Sequence, residues 1–242
     1  MDLSLYGGQD PREIPSYTMR DAAHHVNVKL PTLKSWVHGR NYVLKNGQKQ
    51  HWERIIELSD NSSMLSFVNL VEVHVLAAIR RYYKVDIQKV RIAIEVLQQQ
   101  FNSHNPLATE EFATDGVDLF VEKSGLIQNL SSAQLPIQDI IRAYLTRIDR
   151  DQFGKPLKLR PFLRTPVFTE YVDVNVPSPI IIDPFVSFGQ PTLSGTGVRT
   201  SAIAERWGAG DTIHQLSKDY HLDGQRIEEA IRFETTYLSA AA

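Results

Sequence analysis

The stretch YTMRDAAHHVNVKLPTLKSWVHG, residues 17–39, carries two short helical patterns separated by a tight turn. Thr18 is placed to cap a first helix running through His25, and Met19, Ala22, Ala23 and Val26 fall at spacings that share one helix face. Val26-Asn27-Val28 forms the turn. Pro31 suits the first position of a second helix, Leu33, Trp36 and Val37 supply its buried face, and Gly39 ends it. This is the order of a helix-turn-helix, with Thr32, Lys34, Ser35 and His38 facing outward.

The next residues, RNYVLKNGQKQHW, hold Asn46-Gly47 between two stretches that can pair as strands. A basic hairpin after the second helix is a wing, with Lys45 and Lys49 flanking its tip and Arg40 at its base. Short polar and basic side chains on an exposed helix reach base edges and phosphates, and backbone contacts from a wing fix the docking register. Lys29, Thr32, Lys34, Ser35, His38, Arg40, Lys45 and Lys49 are therefore the candidate DNA-binding residues. Charge agrees. The whole chain has a net charge of −2, but residues 17–54 hold seven basic side chains against Asp21 and Glu53, a net of +5. Residues 171–242 hold five basic and nine acidic side chains, a net of −4. This division points to a polyanion at one end and a different partner at the other.

The 242 residues, 42% of them hydrophobic, can build one large domain or two small ones with a real core. The stretch MDLSLYGGQDPREIPS has neither the basic start nor the apolar run of a secretory signal, and no apolar run approaches the ~18 residues of a membrane span. A soluble cytoplasmic protein is expected. The absence of cysteine removes a disulfide framework and cysteine-ligated zinc. His24 and His25, adjacent on a helix, point about 100° apart, and no carboxylate or cysteine completes a ligand set with His38 or His51. The histidines read as surface or capping groups, with no metal and no cofactor. Glu110-Glu111 reads as solvated charge without a partner nucleophile, so the chain is not expected to be an enzyme.

Leu65, Val68, Val71, Val75 and Ala78 mark a long core helix starting near Ser63 or Ser66, and Ile87, Val90, Ile94 and Leu97 a second one, joined as a helical hairpin. Asp115-Gly116 and Ser124-Gly125 are turn signals around LFVE and LIQNL, which predict a small antiparallel hairpin. Pro136 opens a helix over IQDIIRAYLTRIDRD. The segment FGKPLKLRPFLR, 153–164, is basic and broken by proline, and 165–180 reads as irregular strand and linker.

Further on, FGQPTLSGTGVRTSAI, residues 188–203, raises the possibility of a phosphate-cradling loop. Its glycines fit neither G-x-x-x-x-G-K-[ST] nor G-x-G-x-x-G, and no lysine lies between Lys158 and Lys218. Gly189, Gly195 and Gly197 are turn residues at the entry hairpin of a second helix-turn-helix. Thr200 or Ser201 caps AIAERWGAG, Asp211 caps IHQLSKDYHL, and Asp223-Gly224 leads into QRIEEAIRFETTYL. Leu216, Tyr220, Leu222, Ile227, Ala230 and Ile231 would close its core. The expected class is mainly α with small β-hairpins (α+β), in three units: a winged helix-turn-helix at 1–60, a helical and hairpin middle region at 61–170, and a second helix-turn-helix at 171–242.

At Asp183, Pro184, Gly189, Pro191, Gly195, Thr196, Val198, Gly210, Leu216, Tyr220, Ile227, Ala230 and Ile231 the chain resembles a bacterial domain of formerly unknown function with the pattern D-P-x(4)-G-x-P. Together with MRDAAHHVNVKLPTLKSWV and LSFVNLVEVHVLAAIR it is similar to VapB-like antitoxins with a MerR-like N-terminal unit. The resemblance implies a DNA-binding antitoxin that represses its own operon, a PIN-type nuclease toxin as protein partner, and a homodimer on double-stranded operator DNA. A stand-alone MerR-like regulator sensing a small ligand is the alternative. One departure bears on the division of labour: GQRIEEAIRFE sets Arg226 and Arg232 against Glu228, Glu229 and Glu234, and phosphates repel such a helix. The second helix-turn-helix is expected to dimerise or hold the toxin.

Overall fold

The structure, a computed structural model, describes residues 3–43, 47–59, 62–82, 86–125, 136–162 and 178–240. It is mainly helical with small antiparallel two-stranded pairs, the expected class. Helix α1 (Met19–His25) is capped by Thr18, whose hydroxyl accepts from the Asp21 amide at 3.1 Å. Asn27 takes a left-handed conformation in the turn, and α2 (Leu30–His38) carries Pro31 in its first turn. Ala22, Ala23, Leu33, Trp36 and Val37 are buried, as their spacing predicts.

Gly39, at φ +73° and ψ −175°, occupies a region essentially confined to glycine. It redirects the chain from α2 into β1 (Arg40–Val43), which pairs antiparallel with β2 (Lys49–Trp52), Arg40 opposite Trp52 and Val43 opposite Lys49. A Cβ on residue 39 would also collide with the Trp52 carbonyl oxygen. Gly39→Ala should therefore cost about 1–3 kcal/mol in denaturant unfolding; an unchanged midpoint and slope would show that the hairpin base is not held this way.

Helix α3 (Phe67–Tyr82) is buried along nearly its whole length, and Ser66 caps it by accepting from the Asn69 amide. Helix α4 (Ile87–Phe101) starts at Asp86, whose side chain accepts from the Gln88 amide. Two expectations fail beyond it. LFVE is not a strand: a π-helical turn (Phe112–Gly116) runs directly into α5 (Val117–Ser124), and Val117, Phe120, Val121 and Ser124 bury one helical face. Gly116 is not a turn residue. A Cβ there would sit about 3 Å from the rings of Phe101 and Phe112, so glycine permits close packing of π turn against α4. LIQNL lies outside the described residues. Helix α6 stops at Leu145 (Ile137–Leu145), and the rest of its expected length is β3 (Ile148–Arg150), which pairs with β4 (Pro156–Leu159) from the segment read as irregular. The Asp151 carboxylate accepts from the Phe153 and Lys155 amides and folds the intervening turn. Most of the expected linker, 163–177, also lies outside the described residues.

The C-terminal elements are β5 (Ile180–Ile181), paired with β6 (Thr192–Leu193), then α7 (Thr200–Gly208), α8 (Ile213–Tyr220) and α9 (Gly224–Ala240). Two caps differ from expectation. Arg199 occupies the cap of α7, while the Thr200 hydroxyl bonds to the Pro191 carbonyl and Glu234 carboxylate. Thr212, not Asp211, caps α8 in a reciprocal capping box with Gln215, leaving Asp211 to pair with Arg206.

Buried apolar residues from Tyr17 to Ile182 form one continuous core. A second core contains Leu216, Ile227, Ala230 and Ile231, packed with Tyr220 and Leu222 as expected, and adds Ile180, Leu193, Ile203 and Phe233. The two are stitched together. The Tyr17 hydroxyl of the first core donates to the Gly189 carbonyl, and His24 Nε2 on α1 lies 2.8 Å from the carbonyl oxygen of Phe233 in the second core. The histidine expectation is thereby corrected: His25 is buried between Tyr17 and Phe233, because α1 is covered by α9.

Candidate nucleic-acid interface

Residues 29–52 contain no acidic side chain, so α2 and the β1–β2 hairpin form a continuous element with positive charge alone. Lys29, at the cap of α2, is exposed, as are Lys34 and His38, which lie one turn apart on the same outward line. Arg40 is exposed at the hairpin base and Lys49 at its far end. Thr32 and Ser35 do not face fully outward. Both are half-buried, and the Ser35 hydroxyl donates to the Thr32 carbonyl at 2.7 Å. With Arg40 they line a cavity of about 200 Å³ between α2 and the hairpin base. Lys45 lies outside the described residues, as does Asn46.

The hairpin is stiffened across its strands: the Tyr42 and Trp52 rings stand 4.4 Å apart, the Tyr42 hydroxyl bonds to Gln50, and His51 Nδ1 lies 2.6 Å from Asn41 Oδ1. His51 thus serves the hairpin as a cross-strand partner. Arg80 and Arg91 line the same cavity as Thr32, Ser35 and Arg40. They sit in helices far along the chain, carry no motif, and no local signal places them beside α2.

The C-terminal unit has the opposite electrostatics. Arg206 pairs with Asp211 and Asp219, both at 2.6 Å, and Arg232 with Glu228 and Glu229 at 2.8 and 2.6 Å. Arg226 bonds to the Ser194 carbonyl. These guanidinium groups are committed within the unit. The glycine-rich loop behaves as turn: Gly195 and Gly197 have φ of +76° and +70°. The neighbouring amides of Ser194, Thr196 and Val198 donate to Pro179 O, Leu193 O and Thr196 Oγ1, so they are not gathered around an anion. Among the described residues no group of three or more histidine or acidic side chains could hold a metal ion, and no helix is long and apolar enough to cross a membrane.

Residues 15–94, spanning α1 to α4, match the family model described as "Putative DNA-binding HTH domain", and residues 180–233 match "Protein of unknown function (DUF433)". In fold the chain is similar to the crystal structure of Rv2018 from Mycobacterium tuberculosis, with a TM-score of 0.63 at 22% identity over 90% of this chain and 98% of that one. It is 27% identical to "Uncharacterized protein Rv2308" of the same organism, covering 98% of this chain and 95% of that protein. Along 90% of its length the chain is also 28% identical to "Putative antitoxin VapB45" of Mycobacterium tuberculosis, of which it covers 93%, so the similarity takes in both the basic helix-turn-helix and the acidic C-terminal unit.

Proposed function

We propose that this chain is a DNA-binding antitoxin of a type II toxin–antitoxin system. It docks duplex DNA through Lys29, Thr32, Lys34, Ser35, His38, Arg40, Lys45 and Lys49, and does no catalysis of its own. A PIN-type nuclease is the protein partner, the functional form is a cytoplasmic homodimer, and the complex represses its own operon. The units at 1–60, 61–170 and 171–242 divide this work between DNA contact, scaffold and protein contact. The observation that carries the proposal is the near full-length similarity to "Putative antitoxin VapB45" in a chain whose helix-turn-helix and hairpin hold basic side chains with no acidic one between them. The acidic α9, whose Arg232 pairs with Glu228 and Glu229 and whose Arg226 bonds to the Ser194 carbonyl, favours protein over phosphate as the partner of the C-terminal unit.

The test is titration of a labelled duplex from upstream of the gene between about 50 and about 200 mM salt, since each neutralised phosphate contributes about 0.9 to the slope of log K against log salt. A slope of about 3 or more is expected from the exposed basic side chains. Affinity unchanged across that range would remove the DNA-binding half of the proposal. Co-expression with the product of the adjacent gene tests the other half: a stable complex and relief of its toxicity are expected, and a toxic product that neither binds nor is neutralised would remove it.

A further inference from the structure

We infer that the cavity between α2, the hairpin base and helices α3 and α4 is a phosphate-binding site. Its wall brings together Thr32 and Ser35 of α2, Arg40 of β1, Trp52 of β2, Arg80 of α3 and Arg91 of α4. Three arginines line it, and no aspartate or glutamate is among the lining residues. Neither Arg40 nor Arg91 forms an ion pair with any described residue. Like charges drawn to one concavity repel one another unless an anion sits between them, and guanidinium matches a phosphate by charge and by its planar fork of donors.

Two further features favour an oxyanion. Arg91 is only 9% exposed and is held in place by Gln88 Oε1 at 2.7 Å and by the Glu53 carbonyl, yet its Nε–H has no acceptor. The indole N–H of Trp52 is likewise buried without an acceptor. A buried donor left unpaired costs about 1–3 kcal/mol, and a small side-chain movement would let an anion in the cavity satisfy such donors. Size narrows the ligand. At about 200 Å³ the cavity is smaller than the roughly 300–1,000 Å³ of pockets for drug-sized ligands and cofactors. A single phosphate group fits the chemistry better than a dinucleotide.

The phosphate can come from the backbone of DNA lying against α2 or from a free phosphorylated compound. Both present the same oxyanion, and only the DNA source rests on the function proposed above. The probe is inorganic phosphate added to the full chain, against chloride at equal ionic strength, with thermal unfolding as readout. Phosphate should raise the melting temperature of the wild type by more than it raises that of Arg80→Gln or Arg40→Gln, since general salt exclusion acts on all three alike. Arg40 is exposed on the hairpin, so its variant keeps the test open if Arg80→Gln fails to fold. Lys218→Gln, exposed on α8 and outside both the cavity and the docking face, should retain the full increment.

Duplex titration of the same variants then assigns the source. A salt slope lower by about 0.9 in Arg80→Gln, which is not among the docking residues, places a backbone phosphate in the cavity; an unchanged slope in that variant with a lost increment assigns it to a free phosphorylated compound. If the wild type fails to bind duplex at all, the DNA-binding proposal falls while the thermal increment still decides the site. A wild type with no phosphate-specific increment, or arginine variants that keep it in full, would overturn the inference.

Discussion

Replacing Lys34 and Lys49 together by glutamate is expected to weaken duplex binding on the order of a hundredfold near physiological salt, with the slope of log K against log salt falling by about 1.8. Both side chains are exposed and neither is in an ion pair among the described residues, so the substitutions remove phosphate contacts and add repulsion without opening the core. The matching change in the C-terminal unit is Arg232→Glu. Arg232 already faces Glu228 and Glu229, and exposed pairs of this kind contribute about 0–1 kcal/mol. Its DNA affinity should stay within a fewfold of wild type, whereas binding of a protein partner on α9 should suffer. Arg226 is less suited to the comparison because its bond to the Ser194 carbonyl supports the β6–α7 turn. Fluorescence anisotropy of both variants at two salt concentrations decides the matter. If Arg232→Glu weakens duplex binding as much as the lysine pair, the DNA-reading face lies on the C-terminal unit.

The folded chain is also expected to be most stable near pH 6.5, losing about 1 kcal/mol between there and pH 8. Three buried groups set this profile. Burial pushes the Glu72 carboxyl up from 4.5 to about 8, although Asn105 Nδ2 donates to it at 2.7 Å. Burial, aided by neighbouring His24, pushes His25 down from 6.5 to about 3, and burial does the same to His74. Below pH 6.5 the unfolded histidines take up protons that the folded ones refuse, so stability falls as pH falls. Between 4.5 and 8 folded Glu72 keeps a proton that its unfolded counterpart releases, so its contribution falls as pH rises. From 4.5 to 6.5 two histidines outweigh one glutamate, near 6.5 the two effects balance, and above about pH 7.5 the unfolded histidines are neutral and Glu72 acts alone. Asp10 and Asp151, held below the usual carboxylate range by hydrogen bonds from Arg12, steepen the loss at the acid end. Glu72→Gln should flatten the limb above pH 6.5 in denaturant unfolding, because an amide does not titrate and its carbonyl can still accept from Asn105. A wild-type stability that rises from pH 6.5 to 8, or a variant with the same decline, would show that Glu72 is not the group responsible.

Local order in the sequence determined the helix-turn-helix and the hairpin. The Thr18 cap, the periodic Ala22, Ala23, Leu33, Trp36 and Val37, and the glycine that ends α2 all act within a few residues of one another, so spacing alone carries them. The same holds for the charge division between residues 17–54 and 171–242, which is composition and needs no fold. Tertiary packing decided what lies between. VDLFVEKS has the turn signals of a hairpin at both ends, yet it is a helix because α4 offers its face a surface and Gly116 lets the backbone approach Phe101. His25 looks like a surface histidine until α9, some two hundred residues later, lays Phe233 against it. Thr32 and Ser35 share a cavity with Arg80 and Arg91 only because α3 and α4 fold back beside α2 and the β1–β2 hairpin. Caps, turns and periodicity are interactions between near neighbours, which a sequence lists in order; burial and the meeting of like charges depend on which distant surface covers each face, and only the folded chain selects it.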